Sequence, residues 1–233
     1  KDTGQFIILI NGVYRRLTIN IIMQLRIAKP SDAKEIAKLH GLTKDTHSIG
    51  IFSKMGKTFM NCYYKIILND PNSVILCVED DKGKLVGFAS GSLDYLSEVK
   101  RLKKYFFRLG LAAFPSLLTS PKLIAEIFKR VSSVEEGNSE YITNEKARTA
   151  YWVWDKKSNN SKMSLIMNER HLQLFYLLGV NKVYFEIDSY NKSVLKFATM
   201  NGAEILDRIQ LSDGRERNIL CYDLTKPRKY SFK

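Results

Sequence analysis

The last third of the chain constrains its fold most. Between Thr149 and Leu224, short runs rich in branched and aromatic residues alternate with helical patterns. The run TAYWVWD leads through a polar loop into a helix ending near Leu178. KVYFEID follows, then a helix from Asn191 to Met200, then AEILDRIQL. A turn at Ser212-Asp213-Gly214 leads to a last run, RNILCYDL. A strand that returns through a helix builds a right-handed crossover, whereas strands joined by a tight turn pair antiparallel. The order predicts a mixed α/β sheet closed by a hairpin.

The upstream half fits one such domain. QLRIA after Met23 reads as a short strand, and Asp32 with Glu35 reads as a capping box ahead of the helical AKEIAKLHGL. Gly56 to Asp70 reads as a second helix, with Phe59, Met60, Tyr63, Tyr64, Ile67 and Leu68 at helical spacing. SVILCVE and LVGFASGSL flank the glycine-containing turn DDKGK as a hairpin. Before Met23, two strand-like runs surround Asn11-Gly12, a hairpin signal. The expected organisation is an N-terminal extension over 1–22, a single domain over 23–225, and a basic tail over 226–233.

Residues Asp94 to Ser132 differ in character. Lysines and arginines alternate with apolar residues, and Pro115 and Pro121 punctuate the run, which predicts two or three helices. From Tyr95 to Ser132, eight Lys or Arg face two glutamates, a surplus that is almost half the chain's net +13. A basic amphipathic insert of this kind is expected either to touch an acidic membrane surface peripherally or to form a lid or subunit contact. The basic balance as a whole suits an anionic partner such as coenzyme phosphates or nucleotide-linked substrates, or equally a lysine-rich surface with no such partner. No nucleic-acid recognition motif accompanies it, and no nucleic-acid partner is expected.

Cys62, Cys77 and Cys221 are scattered, which predicts reduced thiols in a cytoplasmic protein and no disulfide framework. His40, His47 and His171 are isolated, so no metal site is expected.

The stretch DKKSNNSKMSLIM, Asp155 to Met167, joins a strand to a helix, where backbone N–H groups and the helix dipole favour an anion. It lacks the glycines that let a backbone approach a phosphate. Ser158, Asn159, Asn160 and Ser161 are good helix N-caps, and Lys156, Lys157 and Lys162 bring three cations. The loop reads either as an anion site held by these means or as a solvated turn.

The run GVNKVYFEIDSYNKSVLKFATMNGAEI, Gly179 to Ile205, resembles the GNAT acyltransferase superfamily. Asn191, Val194, Leu195, Phe197 and Gly202 sit at the spacing of its strand-helix motif. VGFASGSLD is similar to the strand that precedes it, and FSKMGKTFMNCYYKIILNDP resembles bacterial members with a helical insert. The resemblance implies a GNAT-like, mostly antiparallel mixed sheet flanked by helices, with the insert 94–132 between the domain's third and fourth strands.

It further implies an acyl-CoA-dependent N-acyltransferase, with acetyl-CoA as co-substrate and a small amine, such as an amino sugar, as acceptor. Acyl-CoA would lie where TAYWVWD and KVYFEID part. The implied coenzyme-binding residues are Trp152, Val153 and Trp154 on the strand, Asn159, Ser161, Lys162, Met163 and Ser164 at the loop, and Asn191. In the family's loop pattern, Asn159 replaces Arg or Gln, Lys162 replaces the first glycine, and Ser164 takes the small-residue slot. Ala198 and Ala203 replace the family's tyrosine and phenylalanine, so the usual acid for the departing thiolate has no inherited holder. Tyr190 is the substitute candidate. Glu186 is the candidate base, with Asp188 on the same strand face. The competing expectation is a catalytically inactive GNAT-fold binding or assembly protein.

Overall fold

The computed structural model describes residues 4–10, 13–19, 23–42, 54–120, 122–123, 125, 147–158, 160–211 and 214–229, with backbone alone for the first two segments. The turns expected at Asn11-Gly12 and Ser212-Asp213 lie outside the described residues. So does most of the chain between 120 and 147.

Strands β1 (Gly4–Ile10) and β2 (Val13–Ile19) pair with each other as an antiparallel hairpin. Seven others make one sheet: β3 (Gln24–Ile27), β4 (Ser73–Glu79), β5 (Leu85–Ser92), β6 (Arg148–Trp154), β7 (Lys182–Asp188), β8 (Ala203–Gln210) and β9 (Glu216–Asp223). Their spatial order is β3-β4-β5-β6-β7-β9-β8. Every neighbouring pair is antiparallel except β6–β7, which is parallel. Among the described residues the α-helices are α1 (Ala33–Gly41), α2 (Gly56–Ile67), α3 (Tyr95–Lys104), α4 (Phe106–Thr119), α5 (Ser161–Leu177) and α6 (Lys192–Met200). Helices α3 and α4 occupy the position expected of the basic insert.

The two faces of the sheet bury different helices. Ile36 and Leu39 of α1 and Phe59, Met60 and Tyr64 of α2 pack on Ile75, Cys77, Phe88 and Val153. Leu172 and Phe175 of α5 and Ala198 of α6 pack on Val74, Val183 and Ile187. Alternation along each strand separates these sets, which is the pleat doing its ordinary sorting. The centre strands β4 and β5 are buried on both faces and therefore read as nearly continuous apolar runs.

One irregularity matters for the site. The β5–β6 register steps from Ser90↔Tyr151 to Gly91↔Thr149, so Ala150 bulges out. The bulge holds Arg148 on the face of Tyr151 and Val153, although strict alternation would turn it away. Gly91 permits the close approach: a Cβ there would lie 2.4 Å from the Arg148 carbonyl oxygen and 2.8 Å from the Phe175 ring.

Two local expectations are corrected. Asp32 lies in a 3-10 turn and makes no capping-box bond at the start of α1. Its carboxylate accepts from the Lys29 amide (2.6 Å) and pairs with Arg26 (2.6 Å) instead, because a guanidinium on β3 is the stronger partner. The second helix ends at Ile67 and not at Asp70, whose carboxylate accepts from the Asn72 amide (2.9 Å) and pairs with Arg101 (2.9 Å).

Candidate active site

Strands β6 and β7 meet at a single register pair, Arg148↔Tyr184. The Tyr184 amide donates to the Ala147 carbonyl at 3.2 Å. Beyond this point, the edge of β6 facing β7 has no strand partner among the described residues, while β7 stays paired with β9 through Asp188. The two strands therefore part toward their C-terminal ends. A parted strand edge offers unpaired backbone donors and acceptors to an extended ligand.

The start of α5 stands at the open end. Asp155 ties the loop into a turn, accepting from the Lys157 amide (3.0 Å), while its own amide bonds to Val86 (2.8 Å). Asn160 caps the helix: its side-chain oxygen accepts from the Met163 amide at 3.1 Å. Ser161 and Lys162 are exposed, so the lysine side chain extends into solvent and leaves the helix end open. Lys156 and Lys157 are exposed beside it. Three ammonium groups near the positive end of a helix dipole repel it slightly, and an anion there relieves the repulsion. Met163 packs with Val78, Val86, Ala89 and Met167. Asn159 lies outside the described residues.

Trp152 and Trp154 share the α5 face of β6 and pack on the same cluster as Met163. The Trp152 indole N–H donates to the Ser164 hydroxyl at 3.0 Å, and its ring lies 5.3 Å from Phe197 on α6. One strand side chain thus links both helices that flank the split. Val153 points the other way, into the core beneath α1 and α2. Trp154 buries an indole N–H with no partner among the described residues. Asn191 starts α6 but makes no side-chain cap bond; its amide donates to the Asp188 carbonyl at 2.9 Å.

On the opposite face a buried polar cluster runs along β7 from the closed end of the split to the end of the strand. Glu186 is ion-paired with both Arg148 and Arg217, and Asp188 with Arg217 (2.9 Å) and Arg215 (3.0 Å). The Arg148 guanidinium lies 4.3 Å from the centre of the Tyr95 ring. Burial alone would push the Glu186 carboxyl up, but the Arg148 and Arg217 charges outweigh it and hold the group below its ordinary value. A carboxylate engaged by two guanidiniums is a poor proton acceptor, which argues against Glu186 as the base. Its role in the structure is to neutralise arginines.

Glu98, one turn into α3, behaves in the opposite way. Burial pushes its carboxyl up to about 7; the Ser92 hydroxyl and Arg148 oppose the shift, and Asp70 adds to it. Ser92 stands opposite Arg148 in the β5–β6 register, so Glu98 belongs to the closed end of the split. Tyr95, on the same helix, has its phenol pushed up by burial, against Arg148. Two carboxyls with values driven apart mark one as permanent anion and the other as a group that exchanges protons near neutrality. Sequence reading missed Glu98, Tyr95, Arg148 and Arg217 because about fifty residues separate the insert from β6. Tyr190, the other sequence candidate, is exposed beyond the end of β7. No group of residues able to hold a metal occurs among the described residues.

Solved structures align over most of the chain. An acetyltransferase of the GNAT family from Streptococcus pneumoniae aligns with TM-score 0.53 at 11% identity, covering 86% of this chain and 98% of that one. A putative phosphinothricin N-acetyltransferase aligns with TM-score 0.55 at 12% identity, covering 88% and 100%. The chain has the GNAT fold. A putative acetyltransferase from Salmonella typhimurium, solved with its cofactor acetyl-CoA, aligns with TM-score 0.53 at 10% identity over 88% and 95%. No family model and no curated protein matches the sequence. The GNAT likeness therefore rests on the path of the backbone, and the mixed, mostly antiparallel sheet expected from the sequence is borne out.

Proposed function

We propose that this chain is an acyl-CoA-dependent N-acyltransferase that moves an acetyl group from acetyl-CoA to a small amine by direct attack. One observation carries the reading: β6 and β7 share a single pair at Arg148↔Tyr184 and then part, with a capped, lysine-flanked helix start at the open end. On this reading the diphosphate meets the exposed amides of Ser161 and Lys162 and the ammonium groups around them. Ser164 and Asn191 flank the arm, which runs along Trp152 and Trp154 toward the closed end. Amides on the free edge of β6 polarise the thioester carbonyl as that oxygen gains charge.

The acceptor, an amino sugar being one class that fits, enters on the α3 face. Glu98 takes one proton of its ammonium group, and the amine nitrogen bonds to the carbonyl carbon. As the carbon–sulfur bond breaks to release the coenzyme thiolate, the nitrogen gives up its second proton to solvent. Glu98 replaces Glu186 as the base, since Glu186 is already engaged by two arginines. Tyr190 stands past the open end, whereas Tyr184 to Asp188 already spans roughly 13 Å of strand at about 3.3 Å per residue. The thiolate therefore takes its proton from solvent.

The second reading, a GNAT-fold binding module without chemistry, draws on the Trp152–Phe197 contact, which joins β6 to α6 across the split. Thermal unfolding with increasing acetyl-CoA separates the two. The enzyme reading expects saturable stabilisation of about 2.7 kcal/mol at a hundredfold excess over Kd. An unchanged melting temperature at millimolar acetyl-CoA rejects it and leaves the binding module.

A further inference from the structure

Helix α4 presents large apolar side chains to solvent along one side. Phe107, Leu111, Phe114 and Leu118 recur at intervals of four, three and four residues, which places them in a single stripe. They are 85%, 76%, 55% and 67% exposed, and Phe106 beside them is 69% exposed. The opposite side of the same helix is fully employed: Leu109, Ala113 and Leu117 pack into the core cluster beneath α1 and α2. Gly56, at the start of α2, has φ +87°, and a Cβ there would sit 2.3 Å from the Ser116 hydroxyl oxygen. Helix α4 is therefore seated firmly against α2, and its outward stripe is a fixed feature of the surface.

Charge tells what covers the stripe. Between Val99 and Ala125 the sequence holds six Lys or Arg and no Asp or Glu. Arg101 is committed to Asp70 at 2.9 Å. Lys100, Lys103, Lys104, Arg108 and Lys122 are exposed. Lys100, Arg101 and Lys104 line an open groove of about 300 Å³ with Ser97 and Tyr105, immediately before α4 in the chain. An aromatic and leucine stripe beside unpaired cations suits an interface that is hydrocarbon below and phosphate above.

We infer that α4 lies on the surface of an anionic lipid bilayer. Phe107, Leu111, Phe114 and Leu118 sink to the level of the upper acyl chains, and Lys100, Lys103, Lys104 and Arg108 meet the headgroup phosphates. The contact is peripheral, since no helix among the described residues is long and apolar enough to cross a membrane. It stands independently of the acyl-transfer reading.

The test is co-sedimentation of the full chain with vesicles of phosphatidylcholine alone or mixed with phosphatidylserine, at low and high salt. Binding to the mixed vesicles is expected, falling at least tenfold in pure phosphatidylcholine or in high salt. Phe107→Ser with Leu111→Ser, and separately Lys100→Glu with Lys104→Glu, are each expected to lower it tenfold or more, with unchanged circular dichroism confirming the fold. Three results overturn the inference. The first is no binding to acidic vesicles. The second is binding that neither variant pair weakens. The third is a dimer in analytical ultracentrifugation that Phe107→Ser with Leu111→Ser converts to a monomer, which assigns the stripe to a second copy of this chain.

Discussion

Arg148 stands opposite Tyr184 in the one register pair between β6 and β7, and its guanidinium also meets Glu186 and covers the Tyr95 ring. The residue that closes the split therefore also organises the charges beside it. Glu186→Gln removes the anion shared by Arg148 and Arg217, taking the carboxylate from largely buried Arg148 and leaving Arg217 with Asp188 alone. A loss of about 3 kcal/mol is expected in urea unfolding. A loss below about 1 kcal/mol means the arginines find water and the network is not structural.

Glu98 makes stability fall as pH rises. Its carboxyl, near 4.5 ordinarily, is raised to about 7 by burial, so the folded state holds the proton more tightly than the unfolded chain. That contribution is complete below pH 4.5 and is lost as pH climbs to about 7. Glu98→Gln removes this slope, and the variant is expected to be more stable than the parent at pH 8. Denaturant titrations at pH 4.5, 6 and 8 read the difference; parallel curves for the two proteins contradict it.

The same substitution tests catalysis. With the fold retained, Glu98→Gln is expected to lower kcat by about 10²–10⁴. The rate in the parent rises through a single ionisation near pH 7, which the variant lacks. A variant with full activity and an unchanged pH profile moves the base elsewhere.

His171 acts in the opposite sense. Burial lowers its imidazole to about 4, against a hydrogen bond to the Val74 carbonyl (2.9 Å) that favours the protonated ring. Its contribution is present above pH 6.5 and is lost as pH falls toward 4, by at most about 1.4 kcal/mol per pH unit. Because Glu98 opposes it between 4.5 and 6.5, the measurement is made in the Glu98→Gln background. There, stability should drop on acidification, and His171→Gln should flatten the drop.

The start of α5 separates folding from binding. Asn160→Ala removes the cap on Met163 and is expected to cost about 1 kcal/mol of stability. Lys162→Glu leaves stability equal or slightly higher, because it removes a cation from the positive end of a helix. Acetyl-CoA affinity should nevertheless fall several-fold, read by calorimetry. Equal affinity in both proteins detaches the loop from the coenzyme.

Gly91→Ala probes the bulge that aims Arg148. A methyl there would lie 2.4 Å from a backbone carbonyl, which cannot swing aside as a side chain can. A fall in stability above about 2 kcal/mol is expected, in the range of overpacked cores. An unaltered melting temperature shows that β5 and β6 are free to separate.

The sequence by itself determined the elements and much of the sheet. Alternation in KVYFEID put Val183 and Ile187 on one face and Glu186 and Asp188 on the other, since the pleat has a period of two. The polar loop before α5 was legible as a helix start, with four candidate caps from Ser158 to Ser161, because local hydrogen bonding fixes such starts; the structure selects Asn160. The closed end of the split was not legible. Tyr95, Glu98, Arg148, Glu186 and Arg217 come from four elements, and no local pattern encodes their meeting. Whether a carboxyl is a spectator or a base depends on its burial and on the charges beside it, and both arise only when distant segments pack together. Glu186 looked reactive as a lone acid on a strand, and two arginines from other strands made it an anchor. Glu98 looked like one acid in a basic helix, and desolvation gave it a value near neutrality.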